Sequence, residues 1–65
     1  MIIVNGKGET LACTNVAELL RLKGIEGARG LAVAVNGVVV PAKAWPHQTL
    51  NANDTIEIVR PFGGG

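Results

Sequence analysis

Leu31-Ala32-Val33-Ala34-Val35-Asn36-Gly37-Val38-Val39-Val40-Pro41 is the stretch from which the fold can be read. Two runs of β-branched and small apolar residues flank Asn36-Gly37, the pair best suited to a two-residue turn in which both central residues need positive φ. The reading is a β-hairpin, with strands over 31–35 and 38–40. Pro41 closes it, because proline has no N–H to give to a ladder.

Working backwards, 24–30 holds Gly24, Gly27 and Gly30 and reads as a loop. Before it comes the chain's single helix signal. Asn15 stands three residues ahead of Glu18, so its side chain can accept an orphan amide while Glu18 favours the positive end of the helix. Val16, Leu19 and Leu20 recur at helical spacing as the buried stripe, and Gly24 supplies the stop, with Ile25 placed to fold back on the last turn. About two turns of helix are unstable alone, so the stripe must pack on a sheet. Further back, 1–5 is a β-branched strand, Gly6-Lys7-Gly8 is expected to turn, and 9–13 to return as a weak edge strand.

Forwards from Pro41, residues 42–53 read as irregular, with Trp45 and Leu50 large enough to cap the open end of a core. Asn53-Asp54 makes a turn, and Thr55-Ile56-Glu57-Ile58-Val59-Arg60 alternates as a last strand. Glu57 must face away from the helix, which turns Ile56 and Ile58 inward and leaves Val59 outside. Alternation likewise sends Ile2 and Val4 in and Ile3 out. The result is an α+β domain over 1–60, a sheet of about five strands with one short helix across one face. Ile3, Val39 and Val59 then form either an outward docking strip or isolated exposed apolar residues.

Sixty-five residues amount to one small domain with little room for an internal substrate cavity. Hydrophobic residues at 48% and charged residues at 17% describe a folded chain rather than a disordered one. Six basic against five acidic residues give a formal charge of +1, and the basic residues are scattered, which argues against nucleic acid. Cys13 has no cysteine partner, and no Cys/His cluster suits zinc, so no metal is expected. No leader or spanning segment is read at 1–5, which makes the cytoplasm the expected location. Side-chain catalysis is poorly supported: His47 has no acid near it in sequence, Cys13 has no electropositive setting, and although Lys43 and Trp45 could line a site, Trp45 reads better as a hydrophobic plug. Gly6-Lys7-Gly8 lacks the spacing of a phosphate loop.

The remaining signal is 61–65, Pro61-Phe62-Gly63-Gly64-Gly65. Without Cβ atoms, Gly63, Gly64 and Gly65 can enter a narrow groove behind Phe62. Five extended residues reach at most about 18 Å, enough to carry a terminal carboxylate into a neighbour's active site. A frayed end is the alternative.

Val4-Asn5-Gly6, Val16-Ala17-Glu18-Leu19-Leu20, Ala34-Val35-Asn36-Gly37 leading to Val40-Pro41, Trp45, Asp54 with Ile56-Glu57-Ile58-Val59, and Gly64-Gly65 together resemble the ThiS sulfur-carrier family of thiamin biosynthesis, within the ubiquitin-like β-grasp proteins. The resemblance spans almost the whole chain. It implies that an E1-like adenylating enzyme of the ThiF type activates the Gly65 carboxylate with ATP, and that a sulfur donor such as a cysteine desulfurase supplies sulfur to make a thiocarboxylate. Thiazole synthase of the ThiG type then takes that sulfur. The chain would itself bind no cofactor and be a protein co-substrate rather than an enzyme. Ala42-Lys43 stands where family members often carry Arg, and Asn53 where they carry Gly. Two other readings stay open: the small subunit of molybdopterin synthase, and a non-conjugating β-grasp interaction module.

Overall fold

The structure is a computed structural model and describes every residue except 11, 26, 28, 29 and 61–65. In chain order it contains β1 (Ile2–Val4), β2 (Lys7–Glu9), α1 (Val16–Leu22), β3 (Ala32–Val35), β4 (Val38–Val40), a 3-10 helix (Ala42–His47) and β5 (Thr55–Val59). The strands form one sheet in the order β2-β1-β5-β3-β4. β1 and β5 are parallel, and the other neighbours are antiparallel. The last strand in sequence is therefore the middle strand in space.

Both hairpins turn on an Asn-Gly pair. Asn5 and Gly6 have φ of 51° and 82°, and Asn36 and Gly37 have 51° and 83°. Positive φ at both central residues is the geometry whose twist matches that of the flanking strands. The second turn is as expected, whereas the first is displaced from Gly6-Lys7-Gly8. Because Asn5-Gly6 makes a two-residue turn, Lys7 already pairs with Val4, and Glu9 with Ile2. β2 thus ends at Glu9, where the sequence had suggested a strand over 9–13. It does lie at the sheet edge.

Inward residues line up across the sheet. Val4, Ile56 and Val35 make one row, and Ile58, Val33 and Val40 another, all buried. Val16, Leu19 and Leu20 of α1 are fully buried against them. At roughly 1.5–3 kcal/mol for each fully buried aliphatic side chain, those three outweigh the instability of a seven-residue helix.

The helix ends follow the sequence reading. Asn15 is the N-cap, its Oδ1 accepting the Glu18 N–H at 2.8 Å. Glu18 Oε1 reaches back to accept the Thr14 N–H at 2.7 Å and the Thr14 hydroxyl at 2.9 Å. At the other end Gly24, with φ of 74°, lets its N–H reach Arg21 O and the Ile25 N–H reach Leu20 O, both at 3.0 Å. Ile25 packs on the core rim.

The segment expected to be irregular instead contains the 3-10 helix, around Pro46. None of its residues is buried, so it leaves no apolar periodicity to read. Trp45 packs against the core and donates its Nε1–H to Val40 O at 2.8 Å, while Leu50 is buried. The Val16 N–H donates to Gln48 O, and the Leu50 N–H to Thr14 O, tying this segment to the start of α1. No helix among the described residues is long and apolar enough to cross a membrane.

Candidate functional site

Two features converge on the C-terminal end of β5: an apolar patch on the sheet face opposite α1, and the strand end that leads into 61–65.

Strand alternation builds the patch. Ala34 pairs with both Val39 and Glu57, and Ala32 pairs with Val59, so these five residues share the outward face. They border a shallow depression of about 200 Å³. Val39 is 73% exposed and Val59 63%. Small alanines in the middle of the sheet, with valines on two sides, make the floor low and the rim apolar. Glu57 puts one carboxylate at its edge. Val39 and Val59 are therefore brought together, but Ile3 is not. It pairs with Thr55, four residues before Val59 or about 13 Å along the strand, and is only half-exposed.

The strand end is shaped by Asn5. β1 stops pairing through its backbone where the Asn5 N–H donates to Ile56 O at 2.9 Å. The Asn5 side chain then continues the ladder, Oδ1 accepting the Ile58 N–H at 2.8 Å and Nδ2 donating to Ile58 O at 3.2 Å. Beyond lies Arg60, which with Asn5, Leu22, Ile58 and the ion pair Lys23–Glu9 lines an open groove of about 440 Å³. That pair, at 2.9 Å and partly exposed, contributes less than about 1 kcal/mol. Asn36 does at the start of β5 what Asn5 does near its end, accepting the Thr55 N–H at 2.9 Å and donating to Asp54 Oδ1 at 3.0 Å.

Among the described residues two carboxyls are perturbed, both by structural hydrogen bonds. The Thr14 N–H and hydroxyl hold Glu18 below its ordinary range, and the Asn51 N–H and the Asn36 amide hold Asp54 below its own. Burial, with Glu18 nearby, pushes the Cys13 thiol up and so disfavours the thiolate. His47 is exposed in the 3-10 helix. Among the described residues, no three His, Cys, Asp or Glu are grouped to hold a metal. Phe62, Gly63, Gly64 and Gly65 lie outside the described residues.

Sequence reading did not single out the Asn5 and Asn36 side chains as strand clamps. The signal was present in the two Asn-Gly pairs, of which only the second was read as a turn.

A mixed five-stranded sheet with one short helix on a single face defines a ubiquitin-like β-grasp protein. The ThiS family model matches residues 2–65, and the chain belongs to the ThiS family. The crystal structure of a thiamine biosynthesis protein (ThiS) from Geobacter metallireducens is 33% identical, with a TM-score of 0.81 over 98% of this chain and 97% of that one. An NMR solution structure of a thiamine biosynthesis protein from Geobacter metallireducens is also 33% identical, with a TM-score of 0.79 over 98% and 86% of the two chains. Among curated proteins none matches the sequence significantly.

Proposed function

We propose that this ThiS-family chain, a sulfur carrier of thiamine biosynthesis by family and by structure, works through the carboxylate of Gly65. The observation that carries the reading is the reach of the family match, which runs through the whole sheet domain and on through Gly63, Gly64 and Gly65.

The chemistry follows from the weakness of a carboxylate as an electrophile. A Gly65 carboxylate oxygen attacks the α-phosphorus of ATP in the adenylating partner, releasing pyrophosphate and leaving an acyl-adenylate. Hydrosulfide, released from the donor's persulfide by a thiol reductant, attacks the acyl carbon, AMP departs with the C–O bond electrons, and after loss of a proton the product is a thiocarboxylate. Thiazole synthase takes the sulfur from there. Within this scheme the chain is a co-substrate, its catalysis supplied by partners. The sheet patch around Val39 and Val59 docks them, while the tail of Phe62, Gly63 and Gly64 enters their active sites, Gly64 supplying the slim approach to the reacting carboxylate.

Intact and C-terminal peptide mass spectrometry after incubation with the adenylating enzyme, ATP and a sulfide source tests this. An oxygen-for-sulfur mass increase mapped to Gly65, absent without ATP, is the expected result. No exchange with an adenylating enzyme proven competent on another carrier would leave a binding module as the better reading.

A further inference from the structure

The two asparagine clamps on β5 are matched in construction and differ in where they act. Both belong to Asn-Gly turns with φ of 51° at the asparagine, and both bond to β5 backbone that no strand residue reaches on that side. Asn36 holds Thr55, the first residue of the strand. Asn5 holds Ile58, two residues before Arg60, from which 61–65 continues. On the β3 side the pairing of β5 runs on to Ala32 opposite Val59, but on the β1 side the last backbone bond is at Ile56. Asn5 is thus what makes the final residues of β5 an interior strand rather than an edge.

We propose that Asn5 is a positioning residue for the loading of Gly65. Its carboxamide pins Ile58 so that the chain leaves the sheet from a fixed point and in a fixed direction. The inference deepens the reading of Gly65 as the loaded residue and rests on it. Removing the clamp leaves the end of β5 held by its β3 pairing alone, as an edge that twists and frays more freely, so the tether to the carboxylate becomes less directed and, whenever that pairing opens, longer. The effective concentration of a tethered group falls at least as the 3/2 power of tether length, and a displacement of about 1 Å at a reacting centre can cost far more. Binding of the folded domain is affected much less, because Ala34 and Val39 lie on strands that Asn5 does not touch and Val59 stays paired with Ala32 of β3.

The test compares Asn5→Gly with Asn36→Gly in the full chain, since glycine keeps the positive φ and deletes only the side chain. Loading is followed by mass spectrometry at varied carrier concentration, at a temperature where circular dichroism shows both variants folded. Amide hydrogen exchange is recorded alongside. For Asn5→Gly we expect kcat for loading to fall about 3- to 10-fold with KM within about twofold, and the Ile58 amide to exchange about tenfold faster or more. Asn36→Gly should lose similar stability and keep the wild-type kcat, which a purely structural role for Asn5 would not produce. Equal kcat for the two variants, or an Ile58 amide no faster than in wild type, overturns the proposal. A wild-type chain that takes no sulfur overturns the Gly65 reading first and this proposal with it. If Asn5→Gly does not fold, Asn5→Asp keeps the acceptor for the Ile58 N–H and loses the donor, and the same split between kcat and KM is read from it.

Discussion

Val4 and Ile56 lie side by side in the parallel pairing of β1 with β5, both buried, and this pairing joins the β1–β2 hairpin to the three strands β5-β3-β4. Ile56 also pairs with Val35 on its other side and is 0% exposed. Ile56→Ala should therefore destabilise by about 2–5 kcal/mol, through lost burial and a cavity that neither hairpin can close. A domain of this size has roughly 3–5 kcal/mol to lose, so the variant should be largely unfolded at 25 °C by circular dichroism. A cooperative melt near the wild-type midpoint would mean that the centre of the core is not here.

The helix cap offers a smaller and separable effect. Asn15→Ala removes the acceptor of the Glu18 N–H and should cost about 1 kcal/mol, whereas Asn15→Asp should be close to neutral. Urea denaturation reads both, with an unchanged slope showing that only stability has moved.

Acid should weaken the fold through Glu18 and Asp54. Each is held below its ordinary value, 4.5 for Glu18 and 3.8 for Asp54, by bonds that exist only in the folded chain. The folded state therefore binds these protons less readily than the unfolded state. Their contribution is complete above the ordinary values and is lost as pH falls from there through the lowered folded ones. Urea midpoints taken from pH 7 down to about pH 3 should fall below about pH 4.5, and Glu18→Gln and Asp54→Asn should each flatten that decline. A decline that both variants leave unchanged would assign the acid sensitivity to other groups.

On the outward face, Val39→Lys should leave folding nearly intact, because Val39 is 73% exposed, and should raise KM for the adenylating enzyme by tenfold or so with kcat held. Ile3→Lys, at the far side of Thr55, should matter less. Equal KM values for both variants and wild type would remove the Val39–Val59 patch from the docking surface.

What the sequence revealed and what it hid divide along the range of the interactions. The Asn36-Gly37 hairpin, the Asn15 cap and the Gly24 stop are local devices in which neighbouring residues settle the geometry, and each is where the residues placed it. The inward and outward sides of β5 were legible because Glu57 fixes the parity. The β1–β2 turn falls one step earlier than expected because Asn5-Gly6 supplies positive φ at both central positions, whereas Gly6-Lys7-Gly8 would place Lys7 in the turn. The 3-10 helix buries none of its residues and so carries no periodic signal. Least visible were the asparagine clamps, since Asn5 and Ile58 are 53 positions apart and nothing near either residue announces the other.

The position of β5 has a consequence for how the molecule comes into being. Until residues 55–59 have left the ribosome, the nascent chain can form at most two hairpins and a short helix with no strand to join them, and isolated hairpins of this size are marginal in water. The native sheet forms only when the last-made strand slides between the first-made ones. A product of interrupted translation that lacks β5 therefore has no complete sheet and is open to proteases. Only chains translated through β5 can acquire the folded domain that partners would recognise.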